Sequence, residues 1–193
     1  MAELNNEFEI QIRAQKALTD ATQEKVKNHQ ALNDSEIALL CPVAMKTTMT
    51  NKEITELGLS KHYSFVPTID VVNDLRTLGY DCVDATQVKS RKKSTNGYQK
   101  HLLTFEHPDY KVEGAEEYPQ LLLTNSHDGG NAFTLSAGIF RLVCSNGLVI
   151  KTEDYGSARL VHKGYSFEAV QKLVKEFEET MGEVLTKITA MKK

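Results

Sequence analysis

The densest run of chemistry-bearing side chains lies between Lys89 and His101. Lys89, Arg91, Lys92, Lys93 and Lys100 occur with no acidic residue from Ala85 to Phe105, and Tyr98 and His101 sit among them. Lys and Arg neutralise phosphates, and an aromatic ring stacks on an unpaired base. The run therefore reads as a nucleic-acid contact. A solvated hairpin tip would have the same composition, because lysines also block edge-to-edge strand pairing. A second constellation is Ser126-His127-Asp128-Gly129-Gly130. Its glycines allow a sharp turn or close approach to a ligand. His127 and Asp128 are residue types used in acid–base and metal chemistry. The competing reading is a turn in which Asp128 accepts from backbone amides. A third possibility joins Cys144, His127 and His162 in a nucleophilic site, which needs the three to meet in space.

The elements that must position these residues follow from the hydrophobic pattern. Phe8 to Ile12 alternates apolar and polar and reads as a short strand. Ala14 to Ala31 is rich in Ala, Gln, Lys and Glu and reads as a mostly exposed helix. Asp34 to Leu40 reads as a capped helix stopped by Pro42. Thr50 and Glu53 have the spacing of a capping box, with Gly58 ending the short helix that follows. Pro67-Thr68 opens a clearer helix with Ile69, Val72 and Leu75 on one face and Gly79 as its stop.

Strand signals then dominate. Cys82 to Lys89 and His101 to Phe105 flank the basic run, with Asn96-Gly97 as a turn signal. Leu121 to Thr124 is apolar enough to be a central strand. Ala132 to Leu135, Ile139 to Cys144, Leu148 to Ile150 and Ala158 to His162 read as further strands, with Asn146-Gly147 as a turn. From Phe167 onward, Val170, Val174, Phe177, Met181, Val184, Ile188 and Met191 recur in steps of three and four, the stripe of a helix of about 25 residues. Leu173 and Leu185 widen the stripe, which favours packing on the chain's own sheet over a coiled-coil dimer. Gly182 within it costs about 1 kcal/mol relative to Ala and points to close packing there. The expected fold is α+β, a mainly antiparallel sheet with a basic hairpin, flanked by helices and ending in a long amphipathic helix. Residues 1–31 read as an N-terminal extension and 32–193 as one domain.

Bulk composition narrows the function classes. The 193 residues are 40 % hydrophobic and 25 % charged, the balance of an ordinary globular domain. No apolar run approaches the roughly 20 residues of a membrane span. The opening residues are acidic and polar, unlike a secretory signal, so a cytoplasmic location in a bacterial host cell is expected. Cys41, Cys82 and Cys144 are odd in number and widely spaced, which suits buried thiols better than a disulfide framework or a zinc site. No cofactor or metal is expected. A net charge of −3 gives no support to strong non-specific nucleic-acid binding, so any such role must be local to the basic run.

Several stretches together carry a family resemblance. They are Tyr63-Ser-Phe-Val-Pro-Thr-Ile-Asp-Val-Val, Gly79-Tyr and Lys100-His-Leu-Leu-Thr-Phe. After them come Leu123-Thr-Asn-Ser-His-Asp-Gly-Gly, Gly138-Ile-Phe-Arg-Leu-Val-Cys-Ser-Asn-Gly-Leu and Val161-His-Lys-Gly. In this order, from about Leu32 to Gly164, the chain resembles the phage and plasmid-like family catalogued as domain-of-unknown-function family 932. Longer members continue into a C-terminal region with an aromatic, asparagine- and glutamine-bearing motif. This chain has no Trp and ends in the heptad helix instead. The resemblance implies a mobile-element setting and a role in DNA maintenance, recombination or conflict with host defences.

Three readings follow. In the first, the chain binds single-stranded DNA and serves annealing or recombination. Lys89, Arg91, Lys92, Lys93, Lys100 and Arg141 hold phosphates, Tyr98 stacks, and the C-terminal helix supports a homo-oligomer. In the second it is a module that binds a host protein. In the third it is an enzyme, for which Ser126, His127, Asp128 and Gly129 form the candidate loop; no catalytic residue is assigned.

Overall fold

The computed structural model describes residues 2–90, 93–111, 119–144, 148–160 and 165–191. Among the described residues, five α-helices and five strands follow in the order α1 (Ala2–Lys27), α2 (Asp34–Leu40), α3 (Asn51–Glu56), α4 (Thr68–Thr77), β1 (Asp81–Gln87), β2 (His101–Glu106), β3 (Gln120–Asn125), β4 (Phe133–Cys144), β5 (Leu148–Leu160) and α5 (Phe167–Met191). The strands form one antiparallel sheet in the order β1-β2-β3-β4-β5, a meander in which each strand pairs with the next in sequence. The α+β expectation is met, with a long helix at the C-terminal end.

Strand alternation makes the core. Register aligns Ala85, Leu103, Leu123 and Leu135 in one row across four strands, and Cys82, Phe105, Leu121 and Ala137 in a second. All eight are buried in a single apolar cluster. Ile37 from α2 and Cys41 just after it, with Val71, Val72 and Leu75 from α4, pack into the same cluster. So do Val170, Leu173, Val174, Phe177 and Met181 from α5. The wide stripe on α5 thus faces this chain's own sheet through Met181. Fully burying side chains of this size contributes roughly 1.5–3 kcal/mol each. The intervening strand positions Thr86, Thr104, Leu122, Thr124, Thr134 and Ser136 are only half-buried, as the opposite face of a sheet requires.

Helix starts follow the capping chemistry. Asn33 and Glu36 close a capping box on α2, and Thr50 and Glu53 close another on α3. Gly79 ends α4 with φ +88°, a left-handed conformation natural to glycine. A Cβ at that position would also stand 2.6 Å from the His107 ring.

Three expectations are corrected. Phe8 to Ile12 is not a strand but part of α1, which runs unbroken from Ala2 to Lys27. The Ala-, Gln- and Lys-rich residues that follow carry helical propensity, and α1 extends back through the alternating stretch. β4 is one strand of 12 residues, not two. The chain passes through Ser136-Ala-Gly138 with a register shift between Ala137 and Gly138, where β5 carries one extra residue. A bulge of this kind keeps a strand going while increasing its twist. β5 likewise runs for 13 residues, joining Leu148–Ile150 to Ala158 through the polar stretch between them. The Asn146-Gly147 turn lies outside the described residues.

α1 stands largely away from the body. Residues 9–18 are all exposed, including Ile10, Ile12 and Leu18, and the helix settles at its C-terminal end where Thr22 is buried. Lys25 pairs with Glu36 at 2.7 Å. His29 follows at φ +51° with Nδ1 2.7 Å from Glu106, a carboxylate with no exposed surface. Glu106 also accepts from Gln120 Nε2 at 2.6 Å and pairs with Lys111 at 3.0 Å. This joint fixes the end of α1 to β2 and β3. Among the described residues, no helix is long and apolar enough to cross a membrane.

Candidate functional site

The basic run is held on a thirteen-residue connection between Gln87 and His101, with a 3₁₀ turn at Lys93–Thr95. Gly97 has φ +90°, as the Asn-Gly signal required, but the strands do not meet at a tight two-residue tip. Hydrogen bonds brace the loop from within. The Ser90 and Thr95 hydroxyls lie 2.8 Å apart, and the Gly97 amide donates to the buried Gln99 side chain at 2.6 Å. Lys89 and Lys93 are exposed and Lys100 is half-buried. Arg91 and Lys92 lie outside the described residues, as does the side chain of Arg141, whose backbone pairs with Ile150 in the β4–β5 ribbon.

Tyr98 is engaged from two sides. Its hydroxyl donates to Glu53 Oε1 at 2.5 Å, and Lys46 Nζ lies 4.7 Å from its ring centroid. Glu53 also accepts from Lys46 Nζ at 2.8 Å, from the Thr50 amide at 2.6 Å and from the Thr50 hydroxyl at 2.9 Å. The Lys46 ammonium, first among these donors, holds the Glu53 carboxyl far below the usual carboxylate range. The bond to Glu53 pushes the Tyr98 phenol up to about 12. The α3 capping box is thereby tied to the basic loop, a link between residues 45 apart in sequence.

The Ser126–Gly130 loop packs beneath this assembly. The His127 amide donates to Tyr98 O at 2.8 Å. The His127 side chain is fully buried, its ring centroid 4.7 Å from Phe65 and 5.0 Å from His101. Asp128 Oδ1 accepts from the Gly130 amide at 2.9 Å, an Asx-type turn. Ser126 Oγ accepts from the Asn131 amide at 2.9 Å and closes the loop. Gly129 has φ +73°, and a Cβ there would stand 2.5 Å from Leu59 Cδ2. Among the described residues, no three His, Cys, Asp or Glu side chains gather in a way that would hold a metal ion. Cys41 and Cys82 are free buried thiols pushed up to about 12 and beyond by burial. The Cys144 side chain and the whole of His162 lie outside the described residues.

Below the loops sits a polar network that sequence reading missed. His101 is fully buried, with Nδ1 3.0 Å from Gln99 O and Nε2 2.7 Å from Thr68 Oγ1. A backbone carbonyl only accepts, so Nδ1 carries the proton and Nε2 accepts from the Thr68 hydroxyl. Asn125 Nδ2 donates to the same hydroxyl at 3.0 Å and to Val66 O at 3.2 Å. Burial pushes the His101 imidazole down to about 4, against the opposing pull of Gln99 O and Asp128. A hydroxyl beside an imidazole suits nucleophilic catalysis. Here Thr68 and His101 have no exposed surface, so a substrate has no approach and the pair is a structural joint. It seats the first residue of α4 on β2 and β3. The alternation His101, Leu103, Phe105 is the sequence signal that places this histidine on the core face.

Residues 58–193 match the family described as domain of unknown function, DUF932. The matched span begins later than the Leu32 bound of the resemblance and runs past Gly164 through α5, so the C-terminal helix lies within it. Two curated relatives from Escherichia coli strain K12, "UPF0380 protein YafZ" and "UPF0380 protein YfjQ", are each 32 % identical over 123 residues. The aligned stretch is 64 % of this chain and 43 % of each relative, so the chain spans less than half the length of the curated relatives it matches. No solved structure matches. With the family match extending over well more than half of its length, the chain belongs to domain-of-unknown-function family 932.

Proposed function

We propose that the chain binds a nucleic-acid strand through its phosphates, at the end of the sheet where three loop segments pack together. One observation carries the reading. Residues 46–64, 88–101 and 126–131 contain eight Lys or Arg against three acidic residues, in a chain whose net charge is −3. The three segments are joined by the Tyr98–Glu53 and Lys46–Tyr98 contacts and by the bond from the His127 amide to Tyr98 O. Local basic excess in an acidic chain favours a polyanion at this end and disfavours it elsewhere. The phosphate contacts fall to Lys52, Lys61, Lys89, Lys93 and Lys100, with Arg91 and Lys92 on the same loop. Single-stranded DNA is the ligand of choice for testing, in keeping with the phage and plasmid-like setting that the sequence resemblance implies. Cytoplasmic DNA maintenance or recombination in a bacterial host is the matching role.

The test is fluorescence anisotropy with labelled single-stranded and duplex oligonucleotides at about 50 and 200 mM salt. Single-strand affinity should fall steeply with salt. Changing Lys89 and Lys93 together to Ala should weaken binding and flatten the log–log salt slope by about 1.4, at about 0.7 per phosphate contact. Absence of binding by the unmodified protein at the lower salt would refute the reading and turn attention to a protein partner.

A further inference from the structure

The geometry points to a second role at this surface: Tyr98 and Glu53 form a latch that positions the basic loop, and neither side chain need touch the nucleic acid. This rests on the reading above and assigns the loop's rigidity to a named contact. The sequence suggests Tyr98 as a stacking ring. The structure commits its hydroxyl to Glu53 and sets Lys46 over its ring. Glu53 is anchored independently, since Thr50 holds it through both amide and hydroxyl as part of the α3 capping box. The latch therefore fastens the C-terminal part of the loop, at Tyr98, to α3.

The latch matters for binding because a loop that is already ordered loses less entropy when it meets its ligand. It also answers why a carboxylate stands inside a basic surface. Glu53 neutralises Lys46 locally, yet it orders the loop that bears Lys89 to Lys100. A positioning contact of this kind changes affinity together with the loop's susceptibility to opening, whereas a direct contact changes affinity and leaves the free loop as it was.

Tyr98→Phe removes the hydroxyl and keeps the ring under Lys46. Glu53→Gln is the second variant, which retains a hydrogen-bonding side chain. Two measurements are made on the whole chain: the initial rate of trypsin cleavage after Lys89 to Lys93, and anisotropy with a labelled single strand across a salt series. The expected result for Tyr98→Phe is cleavage faster by several fold and affinity weaker by several fold, with an unchanged salt slope. Glu53→Gln should speed cleavage by a smaller amount, while its affinity also gains from the Lys46 charge that the change releases. Unchanged cleavage and unchanged affinity in Tyr98→Phe, with the unmodified protein binding, would overturn the latch and leave the binding reading standing. Unchanged cleavage with weaker affinity would make the Tyr98 hydroxyl a ligand contact and overturn the positioning role. No binding by the unmodified protein overturns the binding reading and the positioning role with it, while the cleavage rates still report whether the loop is latched.

Discussion

Acid should destabilise this protein through one histidine. His101 has no exposed surface, and its folded pKa is pushed down to about 4 from an ordinary 6.5. Between those values the unfolded chain takes up a proton that the folded chain refuses, so stability falls as pH drops through this window. At about 1.4 kcal/mol per unit, a shift of about 2.5 units removes about 3 kcal/mol between neutral pH and pH 4. At pH 5.5 the loss is about 1.4 kcal/mol, a large part of an ordinary domain's stability margin. The structural cause is legible atom by atom. A proton on Nε2 would meet the Thr68 hydroxyl, which already donates there while accepting from Asn125. The assay is urea unfolding followed by circular dichroism at pH 7.5 and 5.5, for the unmodified chain and for His101→Gln. The variant lacks the titrating group, so it should be less stable at neutral pH yet lose about 1.4 kcal/mol less on acidification. Equal losses in the two proteins would refute the argument and move the acid sensitivity to another group.

Two further predictions concern the loops and the joint under α1. Gly129→Ala should cost about 2 kcal/mol in urea unfolding and Gly97→Ala about 1. Both glycines have positive φ, but only Gly129 would place its new Cβ against Leu59, while Gly97 opens on space; equal costs would contradict this. Glu106→Gln removes the buried charge that His29 and Lys111 share and should cost about 2 kcal/mol. Hydrogen exchange should then show the end of α1 opening before α4, and unchanged protection there would disprove the joint.

What the sequence disclosed divides along the range of the interactions involved. Local signals were readable: the Thr50–Glu53 box, the Gly79 stop, the α5 stripe, and the apolar run that became the central strand β3. Phe8 to Ile12 alternates over only five residues, and the helix-forming sequence beyond it decides its conformation. Ala132–Leu135 and Ile139–Cys144 join into one strand because β5 takes up the register shift opposite Ala137 and Gly138, which no local pattern within β4 reports. The basic loop was legible as composition. Its fastening was not, because Glu53 and Tyr98 are 45 residues apart and their meeting depends on how α3 settles against the sheet. His101 stood among lysines in sequence and was grouped with them, whereas β2 alternation turns it inward to Thr68, 33 residues away.

The meander order has a consequence for synthesis. With each strand paired to its immediate predecessor, the sheet can grow by successive short-range additions as the chain leaves the ribosome, without waiting for a distant strand. Its apolar rows are another matter. α2 and α4 are made before the sheet and can cover part of it at once, but the cover supplied by Val170, Val174 and Phe177 is made after all five strands. A nascent chain therefore carries a formed sheet with a partly bare apolar face for the time needed to translate α5. At roughly 5–20 residues per second that interval is a second or more, and it is when a chaperone would be of most use to this chain.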